Sequence, residues 1–149
     1  MQIQLQWQGR MSFESTIGSH AIAMDAKKPV GDSTAPNPKE LLLAGLAGCT
    51  AMDVIALMKK HKQNVKSFKV KGHASSSTDR HPSVFTAVKL DFVLEGEVSP
   101  ELAVEAVQLS QTRYCGVSAM LVKSFPITWE VHVNGKAYAV GQAQFDEHQ

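Results

Sequence analysis

The sequence predicts an α+β fold, and three observations carry that expectation. Short segments with apolar residues at every second position open the chain, and the stretch Pro38–Lys60 follows them, apolar or small on every face from Leu41 to Met58 save for Thr50 and Asp53. Two long alternating segments then lead into amphipathic helical stretches and a last strand. The order βββ-α-ββ-αα-β implies an antiparallel sheet packed on a long buried central helix.

Residues 2–8 set Ile3, Leu5 and Trp7 on one side and glutamines on the other, the pattern of a half-buried strand. Gly9-Arg10 reads as a turn, 11–16 as a second strand, Gly18-Ser19 as a turn and 20–25 as a third. Residues 26–38, with three prolines and a glycine, read as loop. Asn37 suits the N-cap of the central helix, Pro38 its first position and Glu40 its third. Residues 65–77 and 84–94 alternate again around the polar turn 78–83 and predict a long hairpin. Ser99-Pro100-Glu101 opens a helix expected to reach about Arg113; Gly116 interrupts, and 117–124 resumes as a short helix. Residues 126–134 form a last strand, and Asn134-Gly135 turns toward 137–140.

With 149 residues and a net charge of +1, the chain is expected to be one domain, 1–149, with 142–149 as a disordered tail. Scattered lysines argue against a nucleic-acid partner. Met1 opens onto Gln-Ile-Gln-Leu-Gln-Trp, without a basic segment or an apolar core of a signal peptide, so a cytoplasmic location is expected. The run Leu41–Met58 reaches the lower limit of a membrane span, about 17 residues. Asp53 within it and the β-patterned flanks favour a buried core helix and no membrane partner.

The chain has two cysteines, Cys49 within the apolar run and Cys115 at a helix break, 66 positions apart. That spacing is no zinc or thioredoxin motif, and the six histidines show no ligand spacing, so no metal is expected. A lone cysteine in an apolar helix reads first as a small core hydrophobe. Cys115 differs, because a thiol at a helix start meets unpaired N–H groups that favour thiolate. Asp53, one turn after Cys49, opposes thiolate there, so an activated Cys49 needs a cation. Arg10, Arg80, Arg113 and Lys39 are the candidates.

Asn37–Cys49, NPKELLLAGLAGC, resembles the first signature of the OsmC-like superfamily, the osmotically inducible and organic hydroperoxide resistance proteins. Tyr114–Leu121, YCGVSAML, resembles the second. Gly48–Val54, GCTAMDV, together with His81–Thr86, HPSVFT, is most similar to a less characterised branch. The resemblance spans nearly the whole chain. It implies an intertwined homodimer in which the long central helices pack together, and a thiol peroxidase cycle that needs no cofactor. In that cycle Cys49 attacks an organic hydroperoxide and becomes a sulfenic acid. Cys115 resolves it as a disulfide, and a dithiol reductant, lipoyl-linked in the family, restores the thiols. Leu42, Leu46, Met52, Asp53, Phe85 and Met120 are the expected pocket residues for a small apolar peroxide or other hydrophobic ligand, and core packing explains the apolar ones equally well.

The family's hydroperoxide reductases polarise the thiol with an N-terminal arginine and a glutamate after the motif proline. Arg10 lies in the corresponding region; Lys39 stands at the glutamate position, with Glu40 one step on. Gly116 replaces the proline that usually follows the second cysteine. The alternative the sequence supports is a dimeric small-molecule-binding or redox-sensing protein of the same fold, without efficient peroxidase turnover.

Overall fold

The computed structural model describes residues 1–79 and 81–146. The chain divides into two compact units, Met1–Leu43 and a second that begins at Ala44. Arg80, one of the candidate cations, lies outside the described residues.

In the first unit, β1 (Gln4–Gly9), β2 (Ser12–Ile17) and β3 (His20–Met24) form the expected antiparallel meander. Arg10 takes a left-handed φ of 45° in the first turn, which Gly9 also needs. The following loop is more ordered than its proline content suggests. Asp25 is buried and accepts hydrogen bonds from the Thr34 amide at 3.1 Å, the Thr34 hydroxyl at 2.9 Å and the Asp32 amide at 3.2 Å. The Thr34 amide leads the influences that hold its carboxyl below the usual range. Helix α1 (Pro38–Lys60) then opens on a reciprocal capping box. The Glu40 amide donates to Asn37 Oδ1 at 3.0 Å, and the Asn37 amide donates to Glu40 Oε2 at 2.9 Å.

The second unit holds β4 (Asn64–Ser76), β5 (Phe85–Glu97), α2 (Pro100–Leu109), α3 (Gly116–Leu121), β6 (Ile127–Val133) and β7 (Lys136–Gln142). Its four strands lie in the order β4-β5-β6-β7. Ser99 caps α2, its hydroxyl accepting from the Leu102 amide at 3.3 Å. On one face of the sheet, Val88, Leu90, Phe92 and Leu94 of β5 meet Ile127, Trp129, Val131 and Val133 of β6, all buried. Helix α2 lays Ala103, Ala106 and Val107 against β6, closing this core.

The fold is α+β, with four departures from the expected pattern. First, the larger sheet is mixed: β5 and β6 run parallel, with Leu90 opposite Trp129. Parallel neighbours need a long crossover, and α2 and α3 supply it. Second, the chain after Asn134-Gly135 is a full seven-residue strand, β7. The expected tail is therefore ordered at its start: Gln142 is in β7, Ala143 is buried, and the Gln144 amide donates to the Gln111 carbonyl at 3.1 Å. Residues 147–149 lie outside the described residues. Third, the helix expected to run to Arg113 changes at Ser110 into a π turn, Ser110–Tyr114, closed by the Cys115 amide on the Ser110 carbonyl at 2.9 Å.

The fourth concerns α1, which is not buried on all sides. Leu46, Thr50, Val54 and Met58 recur every fourth residue and form one buried stripe, while Leu42 and Met52 are 41% and 72% exposed. A single chain covers one face of this helix and leaves the others open. By length and composition alone α1 is long and apolar enough to cross a membrane, but Thr50 and Asp53, near its middle, are hydrogen-bonded within the protein, as described below.

The interior packing at β7 gives a direct test. A Cβ at Gly141 would overlap the Trp129 ring, and Trp129 is buried at the centre of the sheet. Gly141→Ala is expected to destabilise the protein by about 1–3 kcal/mol through overpacking, measured as a lowered denaturation midpoint. Gly135→Ala, where nothing lies within 4 Å of an added Cβ, separates this packing cost from backbone strain at positive φ.

Candidate active site

The two cysteines meet in the second unit. Cys49 Sγ, Cys115 Sγ and a carboxylate oxygen of Asp53 all lie within 4.8 Å of one another. Both thiols are free. Cys49 is half-buried on α1, whereas Cys115 is fully buried at the N-cap of α3. Its sulfur accepts from the Ser118 amide at 3.3 Å and the Ser118 hydroxyl at 3.2 Å.

A buried polar chain sets this geometry. Gln111 Nε2 donates to Thr50 Oγ1 at 2.9 Å, Thr50 and Ser110 share a hydrogen bond of 2.7 Å, and the Ser110 hydroxyl donates to Asp53 Oδ2 at 2.9 Å. Because Ser110 donates to Asp53, Thr50 donates to Ser110, and the chain runs in one direction from Gln111 to the carboxylate. Thr50, Ser110 and Gln111 are fully buried. Thr50 lies on the buried stripe of α1; Cys49 is about 100° away round the helix and Asp53 about 60° away, on the same flank. The π turn carries Ser110 and Gln111 to that flank and delivers Cys115 beside it.

Sequence reasoning named Asp53 but missed Ser110, Gln111 and Thr50 as site residues. Ser110 did leave a signal: with Ala103, Ala106 and Val107 it completes a stripe at helical spacing, so a polar residue was aimed at the core.

The other expected residues stand as follows. Arg10 Nη1 pairs with Asp32 Oδ1 at 2.8 Å. Glu40 pairs with Lys27 and caps α1, and the Lys27 hydrogen bond leads in holding its carboxyl low. Arg113 lies over the Tyr114 ring, 5.8 Å from its centroid. Leu46 is buried, and Phe85 stacks edge-on with Phe125 at 5.8 Å between ring centroids, as core residues do. Met52 and Met120 are exposed, Met120 by 66%. Met52 lies about 60° beyond Cys49 on the open side of α1, so it walls a pocket only beneath a cover that one chain does not provide. An apolar cleft of about 550 Å³ does exist, within the first unit, and none of the expected pocket residues lines it. Its walls are Leu5, Met11, Phe13, Met24 and the chain about Pro38.

Burial pushes the Cys115 thiol up to about 11, with Cys49 adding to the rise and the Ser118 hydrogen bonds opposing it. Among the described residues, no lysine or arginine figures in the influences on this thiol. A second convergence, Asp91, Glu130 and His132, lies on the other face of the sheet. Lys89 Nζ already fills it, 2.7 Å from Glu130 Oε2 and 3.1 Å from Asp91 Oδ1. Both clusters join separate chain segments, so linear histidine spacing could reveal neither.

An α+β protein that brings a half-buried thiol on its main helix against a second, buried thiol is a dithiol protein by architecture. The chain belongs to the OsmC-like family, whose model, described as OsmC-like protein, matches residues 31–130. It is 37% identical over 136 residues to protein YhfA of Escherichia coli K12, covering 89% of this chain and 98% of that one. Among solved structures, an OsmC-like protein from Mycoplasma pneumoniae superposes with a TM-score of 0.77 at 18% identity, covering 89% of this chain and 95% of that one. An organic hydroperoxide resistance protein from Elizabethkingia anophelis gives a TM-score of 0.66 at 18% identity, covering 90% and 94%. At such identities these structures speak for the fold.

The unequal burial of the thiols has two measurable consequences. Native protein treated with iodoacetamide is expected to alkylate at Cys49 first and at Cys115 only on unfolding, read by peptide mass. Because the folded Cys115 value, about 11, lies above its ordinary 9.0, the unfolded chain loses that proton first. The contribution to stability is then complete below pH 9.0 and disappears as pH rises through about 11. The stability difference between wild type and Cys115→Ser should fall across that window and stay flat below it, measured by denaturant titration.

Proposed function

We propose that the protein reduces organic hydroperoxides through Cys49 and Cys115, in defence against oxidative stress. The observation that carries this reading is the approach of the two sulfurs to within 4.8 Å of each other and of the Asp53 carboxylate. Kinship with a family that includes organic hydroperoxide resistance proteins supports it.

Cys49, the more accessible thiol, is the peroxidatic one. Its thiolate attacks the O–O bond, becoming a sulfenic acid as the alkoxide leaves and takes a proton to give the alcohol. Cys115 is a thiol at neutral pH and must lose its proton to resolve the sulfenate. Asp53 is the base within reach, held by Ser110. As the S–S bond forms, the sulfenic hydroxyl departs with that proton as water. A dithiol reductant of the lipoyl type restores both thiols, and in the cytoplasm such a disulfide is transient.

The active species is a homodimer, with the small apolar peroxide held beneath the partner's cover. Support comes from large apolar side chains that each unit leaves open: Trp7, at 64% exposure, and Leu42 in the first, Met52 and Met120 in the second. Arg10 and Glu40 are proposed as weaker contributors to activation, each already holding a partner, Asp32 and Lys27.

A second reading, a redox-sensing or small-molecule-binding protein without efficient turnover, is favoured by one observation: a carboxylate, that of Asp53, sits within 4.8 Å of both sulfurs. Reduced protein given an alkyl hydroperoxide decides between them. Steady consumption that Cys49→Ser abolishes supports the peroxidase. Loss of two hydrogens in intact mass without continued turnover supports the sensor. Within the peroxidase reading, Cys115→Ser should stop after one turnover with a trappable sulfenic acid, and Asp53→Asn should slow disulfide formation by about 10²-fold.

A further inference from the structure

We infer that the reduced protein holds one thiophilic d10 cation of the Zn2+ class, coordinated by Cys49 Sγ, Cys115 Sγ and a carboxylate oxygen of Asp53. The three donor atoms converge within 4.8 Å from α1 and the start of α3. In a tetrahedral zinc site, with Zn–S about 2.3 Å and Zn–O about 2.0–2.2 Å, the donors stand about 3.5–3.8 Å apart. The observed convergence, within 4.8 Å, differs from that spacing by about 1 Å, a distance on the scale of side-chain adjustment.

Charge supports the assignment. With both thiols ionised, the cluster brings three negative groups together beside fully buried residues. Like charges at this separation are costly unless a cation joins them. The corresponding cluster on the other face of the sheet, Asp91, Glu130 and His132, already has its cation in Lys89. Two soft sulfurs with one carboxylate select zinc, cadmium or copper(I) over magnesium or calcium, which require oxygen donors.

The outer contacts are those of a ligating set. Ser110 fixes the Asp53 carboxylate at 2.9 Å and is itself fixed by Thr50, which Gln111 holds. Cys115 Sγ is oriented by the two Ser118 donors. Cys49 is half-buried, so the fourth coordination position opens on its side and takes water. Three protein ligands with one open position is the arrangement of open zinc sites, as against the closed four-ligand structural ones. Each sulfur can bond the ion or its fellow sulfur, so occupancy belongs to the dithiol form alone. The site stands whether or not the thiols turn over hydroperoxide.

The test titrates the reduced full-length chain with Cd2+, reading the ultraviolet thiolate-to-cadmium charge-transfer band, and with Zn2+ against a chromophoric chelator. One ion per chain is expected. Cys49→Ser and Cys115→Ser should each weaken binding by at least about 100-fold, and Asp53→Asn by about 10–100-fold with the charge-transfer band retained. Should a cysteine variant fail to fold, wild type carbamidomethylated at Cys49 replaces it and should lose the band. Absence of the band at one equivalent, binding that survives alkylation, or unchanged affinity in Asp53→Asn overturns the assignment.

Discussion

The hydrogen bond between Thr50 and Ser110 is the constraint on which the site depends. Both hydroxyls are fully buried, and a buried hydroxyl without a partner costs about 1–3 kcal/mol. Each is satisfied only when α1 sits at one register against the end of α2. Slipping α1 by one residue would set Ala51 or Cys49 opposite Ser110 and orphan the network. The apolar part of the same stripe, Leu46, Val54 and Met58, favours that register too, since a slip would bring alanine or glycine to the core and leave cavities. The polar pair adds the penalty of unpaired hydroxyls, and the pairing of Cys49 with Cys115 depends on the register that results.

The π turn is the second half of that constraint. A regular continuation of α2 would rotate Gln111 off the α1 flank and carry Tyr114 and Cys115 round the helix. The wider turn directs Ser110 and Gln111 together toward Thr50 and releases the chain at Cys115, whose extended backbone caps α3. Such insertions cost local hydrogen-bond geometry and concentrate at functional sites. Here the gain is a cysteine buried without being lost to the core, held by Ser118 and facing another thiol.

Much of the fold was legible because its signals are local. The Asn37–Glu40 capping box, the Ser99 cap and the Asn134-Gly135 turn each follow from residues within four positions. The parallel pairing of β5 with β6 was not legible, because it joins segments separated by the whole crossover and depends on where α2 packs. Of the site, the cysteines and Asp53 could be named from residue type, and the resemblance to the OsmC-like family put the thiols in one cycle. Their proximity could not be read, because it rests on Thr50, Ser110 and Gln111, ordinary polar residues whose meaning appears only when a core stripe is seen to contain them. The exposure of Met52 was hidden for the opposite reason: an apolar residue in an apolar run says nothing about which face of the helix is covered.

Asp53 bears unequally on the two chemical steps. In the proposed cycle, attack on a peroxide moves negative charge onto the departing alkoxide, which a carboxylate within 4.8 Å of Cys49 does not stabilise. The same carboxylate is well placed to take the proton that Cys115, buried and reluctant to ionise, must lose before it can close a disulfide. The residue thus opposes the first oxidation and assists the second. A cation at the pair reverses the first effect, whether an arginine side chain or a bound metal supplies it. A side chain leaves the sulfurs free to react, and a metal occupies them. On both proposals the carboxylate is therefore the group that sets this thiol pair for turnover or for holding an ion.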